Sequence, residues 1–430
     1  MKRIIWLLFL VFISIAGFQN CSKDPAPIDP PSQWSEPVLY YSNPNSFWPI
    51  RFEADVNAGT MNVVSSFSLF QDWLKYNEYS GIYLLRQEPG KELEIKKLSQ
   101  DNIPSEWPSI LRGRSGNLHF LWGDRRQDPD FENWVTPRPQ ALGYSTDVTY
   151  FKLDDKTNEP EHIYAGKLGS VGLGDILFPL SLTEDSHGNL HVVFGDTPFN
   201  VYMNRDKSGH WSSPSFVQPT VGYNNIAALP GGRLVIAYTG LNQQIPSKND
   251  VLITYSDDDG ISWSDPVIVL ISTREKPSFD LQLIHGPDET LHLIWGREVD
   301  MELIPDEIWH STSDDGGISW TEPEMIFKLD PGFGGFYSFE TIIDSYGRLH
   351  FSGISLVLGA PGQESLWYSS MSPKTGQWED LTKLDFVGTA IWSSLAFDKS
   401  ANELYLFWTR RDTDTDQQVF YYTKKFIRNP

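Results

Sequence analysis

Cysteine is all but absent. Cys21 is the single one in 430 residues, so no disulfide can form within the chain. Basic residues are scarce: 34 Lys plus Arg face 56 Asp plus Glu, a formal net charge of −22. Binding to nucleic acid needs a basic footprint that displaces phosphate counterions, which this balance excludes. The apolar run over residues 4–17 is shorter than the ~20 residues that span a bilayer. Residues 166–174 are glycine-rich but lack the Gly-Lys-Ser/Thr of a phosphate loop. The acidic run over residues 257–259 lacks the alternating ligands and distal Glu of a calcium loop. The expectation is a protein that works without a cofactor or metal.

What is present is aromatic and turn-rich. Aromatics make up 14% of residues, with 16 Trp, 33 Gly and 29 Pro. That composition suits many short strands joined by tight turns. The N-terminus reads as a targeting segment, with Lys2 and Arg3 before the apolar run. Residues 1–20 would be the signal peptide, and residues 21–33 a Pro-rich polar tether. The placement of Cys21 at this boundary resembles a bacterial lipoprotein, whose cysteine becomes the lipidated first residue. Cleavage after Ala16 is the competing reading, because Phe18-Gln19-Asn20 stand where small residues are usual.

Beyond the tether a four-part phrase recurs. A strand ending Leu-His-apolar-apolar-aromatic is its clearest part: GNLHFLWGD (116–124), GNLHVVFGD (188–196), GRLVIAYTG (232–240), ETLHLIWGR (289–297), GRLHFSG (347–353) and NELYLFWTR (402–410), with a weaker copy GTMNVVS (59–65). Seven preceding strands match them, among them WPIRFEAD (48–55), WPSILRG (107–113), FPLSLTED (178–185) and FDLQLI (279–284). A period of this size marks one supersecondary unit repeated. The last unit stops after a third strand, VFYYTKKF (419–426), and WSEPVL (34–39) matches the missing fourth. Pairing the two ends would close a ring and remove the exposed edges. The reading is all-β: one seven-bladed β-propeller over residues 34–430. His119, His191, His292 and His350 share one slot that elsewhere holds Val235 or Tyr405, so they read as packed residues, not ligands.

The turns carry a second repeat. SDDDGISWSDP (256–266) returns as SDDGGISWTEP (313–323), with Trp263 and Trp320 57 residues apart. The pattern Ser256, Asp258, Gly260, Trp263 and Ser313, Asp315, Gly317, Trp320 resembles the Asp-box, or BNR repeat, of sialidase-like propellers. The resemblance implies that these acids are structural and lie on the hairpin between third and fourth strands. Sialidases proper have six blades, so a six-bladed ring with a divergent N-terminal hairpin is the alternative.

In such propellers the working face is made by loops entering first strands and leaving second strands. The entering positions are Phe47, Trp48, Glu106, Trp107, Asp175, Tyr223, Asp280, Tyr337 and Trp392. The leaving positions are Asp124, Arg125, Arg126, Asp196, Arg297, Glu298, Arg410, Arg411 and Asp412. Aromatics suit stacking on sugar rings, and arginine forks suit carboxylate or sulfate. Trp107, Trp392, Tyr223, Arg51, Arg125, Arg126, Arg297 and Arg411 are therefore the substrate-binding candidates. Residues 125–139 form a long loop with Trp134 and Arg138, read as a rim or lid. The sialidase resemblance casts Tyr337 with Glu340, or Tyr223, as the nucleophile, Asp124 as the acid, and Arg51, Arg297 and Arg411 as an arginine triad. Phe47-Trp48-Pro49-Ile50-Arg51 departs in order from the family's Phe/Tyr-Arg-Ile-Pro.

Two functions fit. One is an exported, surface-anchored monomer that cleaves an anionic sugar, as a glycoside hydrolase or, on uronates, as a lyase. The other is a non-catalytic glycan-binding or scaffold lipoprotein. In both the partner is a glycan, and the membrane is met through the lipid alone.

Overall fold

A computed structural model describes residues 33–43, 49–68, 80–100, 105–127, 144–153, 159–165, 176–196, 199–219, 223–241, 249–273, 278–297, 305–358, 364–384, 390–412 and 417–428. Cys21, Phe47, Trp48, Trp134, Arg138, Asp175 and Glu298 lie outside them.

The strands form seven antiparallel sheets of four, the seven blades of a propeller. In chain order the innermost strands of blades 1 to 7 are Pro49–Asn57, Ser105–Arg112, Ile176–Glu184, Asn224–Ala228, Ser278–His285, Phe333–Ile343 and Ala390–Asp398. Each inner strand packs against the next, and the seventh against the first. The six-bladed alternative is thereby excluded. Blade 7 is closed as the repeat requires. Val38–Asn43 is its outer strand and pairs with Gln417–Phe426, which pairs with Glu403–Asp412 and so with the inner strand.

The core lies between blades. Every residue of Leu190–Asp196 is buried, because a second strand is covered on both faces by its neighbours. Leu121, Val148 and Tyr150 of blade 2, for instance, meet Leu180, Val192 and Phe194 of blade 3. The repeated histidines belong to these seams. His119 Nδ1 lies 2.7 Å from the Tyr150 hydroxyl, His191 Nδ1 2.7 Å from Tyr202, and His350 Nδ1 2.8 Å from Tyr368. In blade 5 a second histidine replaces the tyrosine, with His292 Nδ1 3.1 Å from His310 Nε2. A tryptophan from the next blade then sets its edge on each partner: Trp211 on Tyr150 and Trp263 on Tyr202, each at 5.2 Å, Trp378 on His310 at 6.0 Å, and Trp34 on Tyr368 at 5.0 Å. Trp34, from the chain's other end, thus does for the closing seam what the hairpin tryptophans do elsewhere.

The two matching turns fold alike. Asp258 accepts the Ser262 amide at 2.8 Å and hydroxyls from Ser262 and Ser256 at 2.5 and 2.8 Å. Asp315 accepts the Ser319 amide at 2.9 Å and hydroxyls from Ser319 and Ser313 at 2.5 and 2.9 Å. The bond from the Ser262 hydroxyl, joined by the Ser262 amide, holds Asp258 below the usual carboxylate pKa. Asp315 is pushed up by its slight burial, but its Ser319 bonds outweigh that and hold it low too. Gly260 and Gly317, at φ +82° and +89°, supply the left-handed turn. Both turns follow the third strand at the end where inner strands finish.

One irregularity positions everything that follows. In six blades the pairing of first and second strands shifts register near the start of the inner strand: between Pro49 and Phe52, Glu106 and Ser109, Leu177 and Ser181, Phe279 and Gln282, Phe336 and Ser338, and Ala390 and Ser393. Blade 4 stays regular. A bulge turns a side chain out of the strand's alternation. Arg51, Trp107, Asp280, Tyr337 and Trp392 all fall inside these shifts.

Candidate functional site

The inner strands enclose a cavity of about 1140 Å³, lined by residues from all seven blades. Arg51, Trp107, Tyr223, Asp280 and Trp392 line it near the starts of the inner strands; Arg114, Glu184 and His285 line it at the other end. Its volume suits a ligand of a few sugar rings.

Many of its polar groups hold the ring together. Glu53 accepts the Ile110 amide of blade 2 at 2.9 Å. Ser109 donates to the Leu180 carbonyl of blade 3 at 2.7 Å, and Ser181 accepts the Ile226 amide of blade 4 at 3.1 Å. Gln282 donates to the Phe339 carbonyl at 2.9 Å and accepts the Thr341 amide at 2.7 Å, tying blade 5 to blade 6. Glu340 accepts the Leu395 amide of blade 7 at 2.7 Å, and Ser394 accepts the Ala54 amide of blade 1 at 3.0 Å. Among the described residues no such side chain joins the inner strands of blades 4 and 5. Asn225 and Tyr223, which face the cavity on that seam, bond no described residue through their side chains.

Among the described residues four carboxyls line the cavity. Glu53, Glu184 and Glu340 each accept a backbone amide from a neighbouring blade or turn. Asp280 accepts no hydrogen bond from a described residue. Burial pushes its carboxyl up to about 6, with the Arg51 charge pulling the other way. Burial, then the nearby Glu53 charge, pushes Glu340 up to about 7. Burial also raises Glu53, against Arg51 and the Ile110 amide. Tyr223 is raised by burial and by the Asp280 charge, so its hydroxyl stays protonated at any ordinary pH. One guanidinium therefore serves three acids. Among the described residues the Arg51 guanidinium forms one ion pair, with Glu53 at 3.4 Å, and its Cζ lies 5.7 Å from the Trp107 ring. Trp107 meets Trp392 edge to face at 6.4 Å, forming an aromatic wall across blades 2 and 7.

Asp280 and Trp107 share a second property. Both hold positive φ, +47° and +57°, which is uncommon for residues other than glycine. Such backbone costs on the order of 1–3 kcal/mol and persists where the surrounding structure fixes it. Two bulged inner strands carry that strain at the cavity.

The sequence candidates divide accordingly. Arg51, Trp107, Tyr223, Glu340 and Trp392 come together in the cavity. Asp124 does not line it. Its carboxylate accepts hydroxyls from Ser105 and Thr149, both at 2.5 Å, and the Trp122 indole at 2.8 Å. Asp196, at the same place in blade 3, accepts the Tyr164 hydroxyl. Arg297 also stands away from the cavity, its Cζ 5.1 Å over the Trp309 ring. Arg51 and Arg297 therefore do not form one cluster. Tyr337, Arg125, Arg126 and Arg411 lie on strands, but their side chains fall outside the described residues. Asp280 stands among the entering positions of the sequence, yet nothing beside it in FDLQLI sets it apart. Glu53 and Asn225 were missed because alternation alone does not show which strand face lines the channel. Aromatic-Pro pairs at 48–49, 107–108 and 178–179 were the available signal, since proline within a sheet marks an edge, a strand start or a bulge.

No protein-family model matches the chain, and no curated protein resembles it in sequence. Solved structures do resemble it in fold. A protein of unknown function from Dyadobacter fermentans is 14% identical, with TM-score 0.55 over 92% of this chain and 99% of that one. A PL25 ulvan lyase, solved bound to a GlcA(1-4)Rha3S unit, is 11% identical, with TM-score 0.55 over 90% of this chain and 95% of that one. A variant of the NanB sialidase of Streptococcus pneumoniae reaches TM-score 0.47 at 13% identity, over 91% and 70% of the two chains. The first two likenesses are of fold.

Proposed function

We propose that this propeller cleaves an acidic glycan in its central cavity, and that the chemistry is β-elimination at a uronate. The observation that carries the reading is Asp280: of the four cavity carboxyls, it is the one that accepts no hydrogen bond from a described residue, and its pKa of about 6 suits a base at neutral pH. Arg51 pairs with the uronate carboxylate, which makes the C5 proton easier to remove. The Asp280 carboxylate takes that proton. The C–H electron pair becomes the C4–C5 double bond, the C4–O bond breaks, and the leaving oxygen takes the Tyr223 hydroxyl proton. The proton held by Asp280 passes through solvent to the Tyr223 phenolate oxygen, which restores both groups, and no water enters the products. Trp107 and Trp392 stack on the flanking sugars.

Glu340 supports a second reading. A carboxyl raised to about 7 is a fit general acid, and with Asp280 it would give the two carboxyls that hydrolysis needs. The test weighs products from uronate-containing polysaccharides and from sialylated glycans. Elimination predicts fragments whose masses sum to that of the substrate and a new ultraviolet band, lost in Asp280→Asn and in Tyr223→Phe. Fragments heavier by one water would replace elimination with hydrolysis. No change in mass for any acidic glycan would leave the cavity a binding site.

A further inference from the structure

Arg297 ends the second strand of blade 5, Leu291–Arg297, opposite Ser278 at the start of the inner strand. It follows Leu291, Leu293 and Trp295 in alternation. Those three pack with Val235, Ala237, Val251 and Ile253 of blade 4, so this strand face looks onto the seam between blades 4 and 5. Trp309, beneath the guanidinium, packs in the same cluster. Arg297 is half-buried, and its Nε is buried without a hydrogen-bond partner among the described residues. No described carboxylate pairs with it. Glu307, the acid nearest in charge, is 4% exposed and already holds Lys328 at 3.0 Å and the Trp309 indole at 3.1 Å. Of the seven other half-buried described arginines, five hold a described carboxylate, and Arg348 and Arg410, like Arg297, hold none. Arg51, Arg86, Arg205 and Arg233 each hold a carboxylate within 3.4 Å. Burial lowers the Arg297 pKa, with the Glu307 charge opposing.

The seam on which Arg297 sits is the one that carries Tyr223, Asn225 and Asp280 at the cavity, and among the described residues no side-chain hydrogen bond of the kind above struts its inner strands. We infer that Arg297, backed by Trp309, is an outer subsite for a second anionic group, a carboxylate or sulfate, on a glycan that leaves the cavity along the seam between blades 4 and 5. The ligand is then a polyanion, with one acidic group at Arg51 and another on a sugar further along. A guanidinium that lies on an aromatic plane with no described counter-ion offers its fork to such a group and keeps its stem desolvated. This inference rests on the cavity's being a glycan site, though not on which bond is broken there.

The experiment uses the full-length chain carrying Asp280→Asn, so that turnover does not consume the probe. Size-fractionated heparin oligosaccharides, which carry both carboxylate and sulfate, are titrated from disaccharide to octasaccharide, with dextran oligosaccharides as the neutral control. Affinity should rise in a step once the chain is long enough to reach the rim. Arg297→Ala should remove that step, about tenfold in Kd, and leave the disaccharide unaffected. Arg297→Lys should restore only part of it, because an ammonium keeps the charge and loses the fork. Equal loss at every length, no loss at all, or no binding of any heparin fragment overturns the subsite. Should wild-type turnover survive Asp280→Asn while the step persists, the elimination reading falls and the subsite stands.

Discussion

At Asp280 function and stability pull in opposite directions. Its pKa in the fold, about 6, lies above the ordinary 3.8. A raised carboxyl means that the native state holds the proton more tightly than the unfolded chain does. Ionisation therefore costs native stability above about pH 6, and the cost vanishes below about pH 4, where both states are protonated. Asp280→Asn should thus raise the melting temperature at pH 7 while abolishing cleavage, by roughly 1–3 kcal/mol of stability. The gain should fade when the two proteins are melted at pH 4, and an equal gain at both pH values would mean that relief of the positive φ, not loss of charge, is responsible. The same value fixes the rate profile: turnover of the wild type should climb as pH rises through about 6. Nothing around Asp280 in the sequence announces this. Arginines and aromatics at strand starts are visible by type and position, and four of those candidates, Arg51, Trp107, Tyr223 and Trp392, do meet in the cavity. The desolvation and backbone twist that single out one aspartate among 56 acids exist only once the bulge has formed.

Elements were more legible than sites. Each inner strand overlaps a run recognisable from its apolar pattern, and the hairpin glycines mark their turns. Alternation survives in the sequence because one face of every strand must meet the next blade. Bulges leave a weaker trace, since the inserted residue breaks the alternation without replacing it by another pattern. The two matching turns differ in a way that only packing shows. A Cβ on Gly260 would fall within the Tyr202 ring, whereas one on Gly317 would meet the Val235 methyl at 3.2 Å. Both glycines have positive φ, so alanine strains either turn by about 1–2 kcal/mol. Only Gly260→Ala adds overpacking of about 1–3 kcal/mol against a ring fixed by His191 and Trp263. Urea denaturation should place Gly260→Ala well below Gly317→Ala. Equal midpoints would mean that Tyr202 moves aside freely.

For the whole molecule the seams decide. His191, His292, His310 and His350 are all held below their ordinary pKa by burial, His310 to about 3. A depressed histidine binds fewer protons folded than unfolded. Its contribution is present above pH 6.5 and is lost as pH falls towards the folded value. These four sit in three seams of one closed ring, so acid should loosen it cooperatively. The raised cavity carboxyls oppose this trend, so the histidine part is read by difference: His310→Phe, which keeps a ring against Trp378, should gain melting temperature relative to the wild type as pH falls from 6.5 to 4. An unchanged slope in that variant would locate the acid sensitivity elsewhere. The ring's closure has one more consequence. Val38–Asn43 finds its partner in Gln417–Phe426, Tyr40 donates to the Leu85 carbonyl of blade 1, and Lys425 seats its ammonium 4.0 Å from the Tyr368 ring and 5.0 Å from Trp34. A strand made among the first must wait, unpaired, for one made among the last. A chain that stops short of Gln417–Phe426 leaves Val38–Asn43 and Glu403–Asp412 with unpaired sheet edges, so closing the ring waits on that one strand.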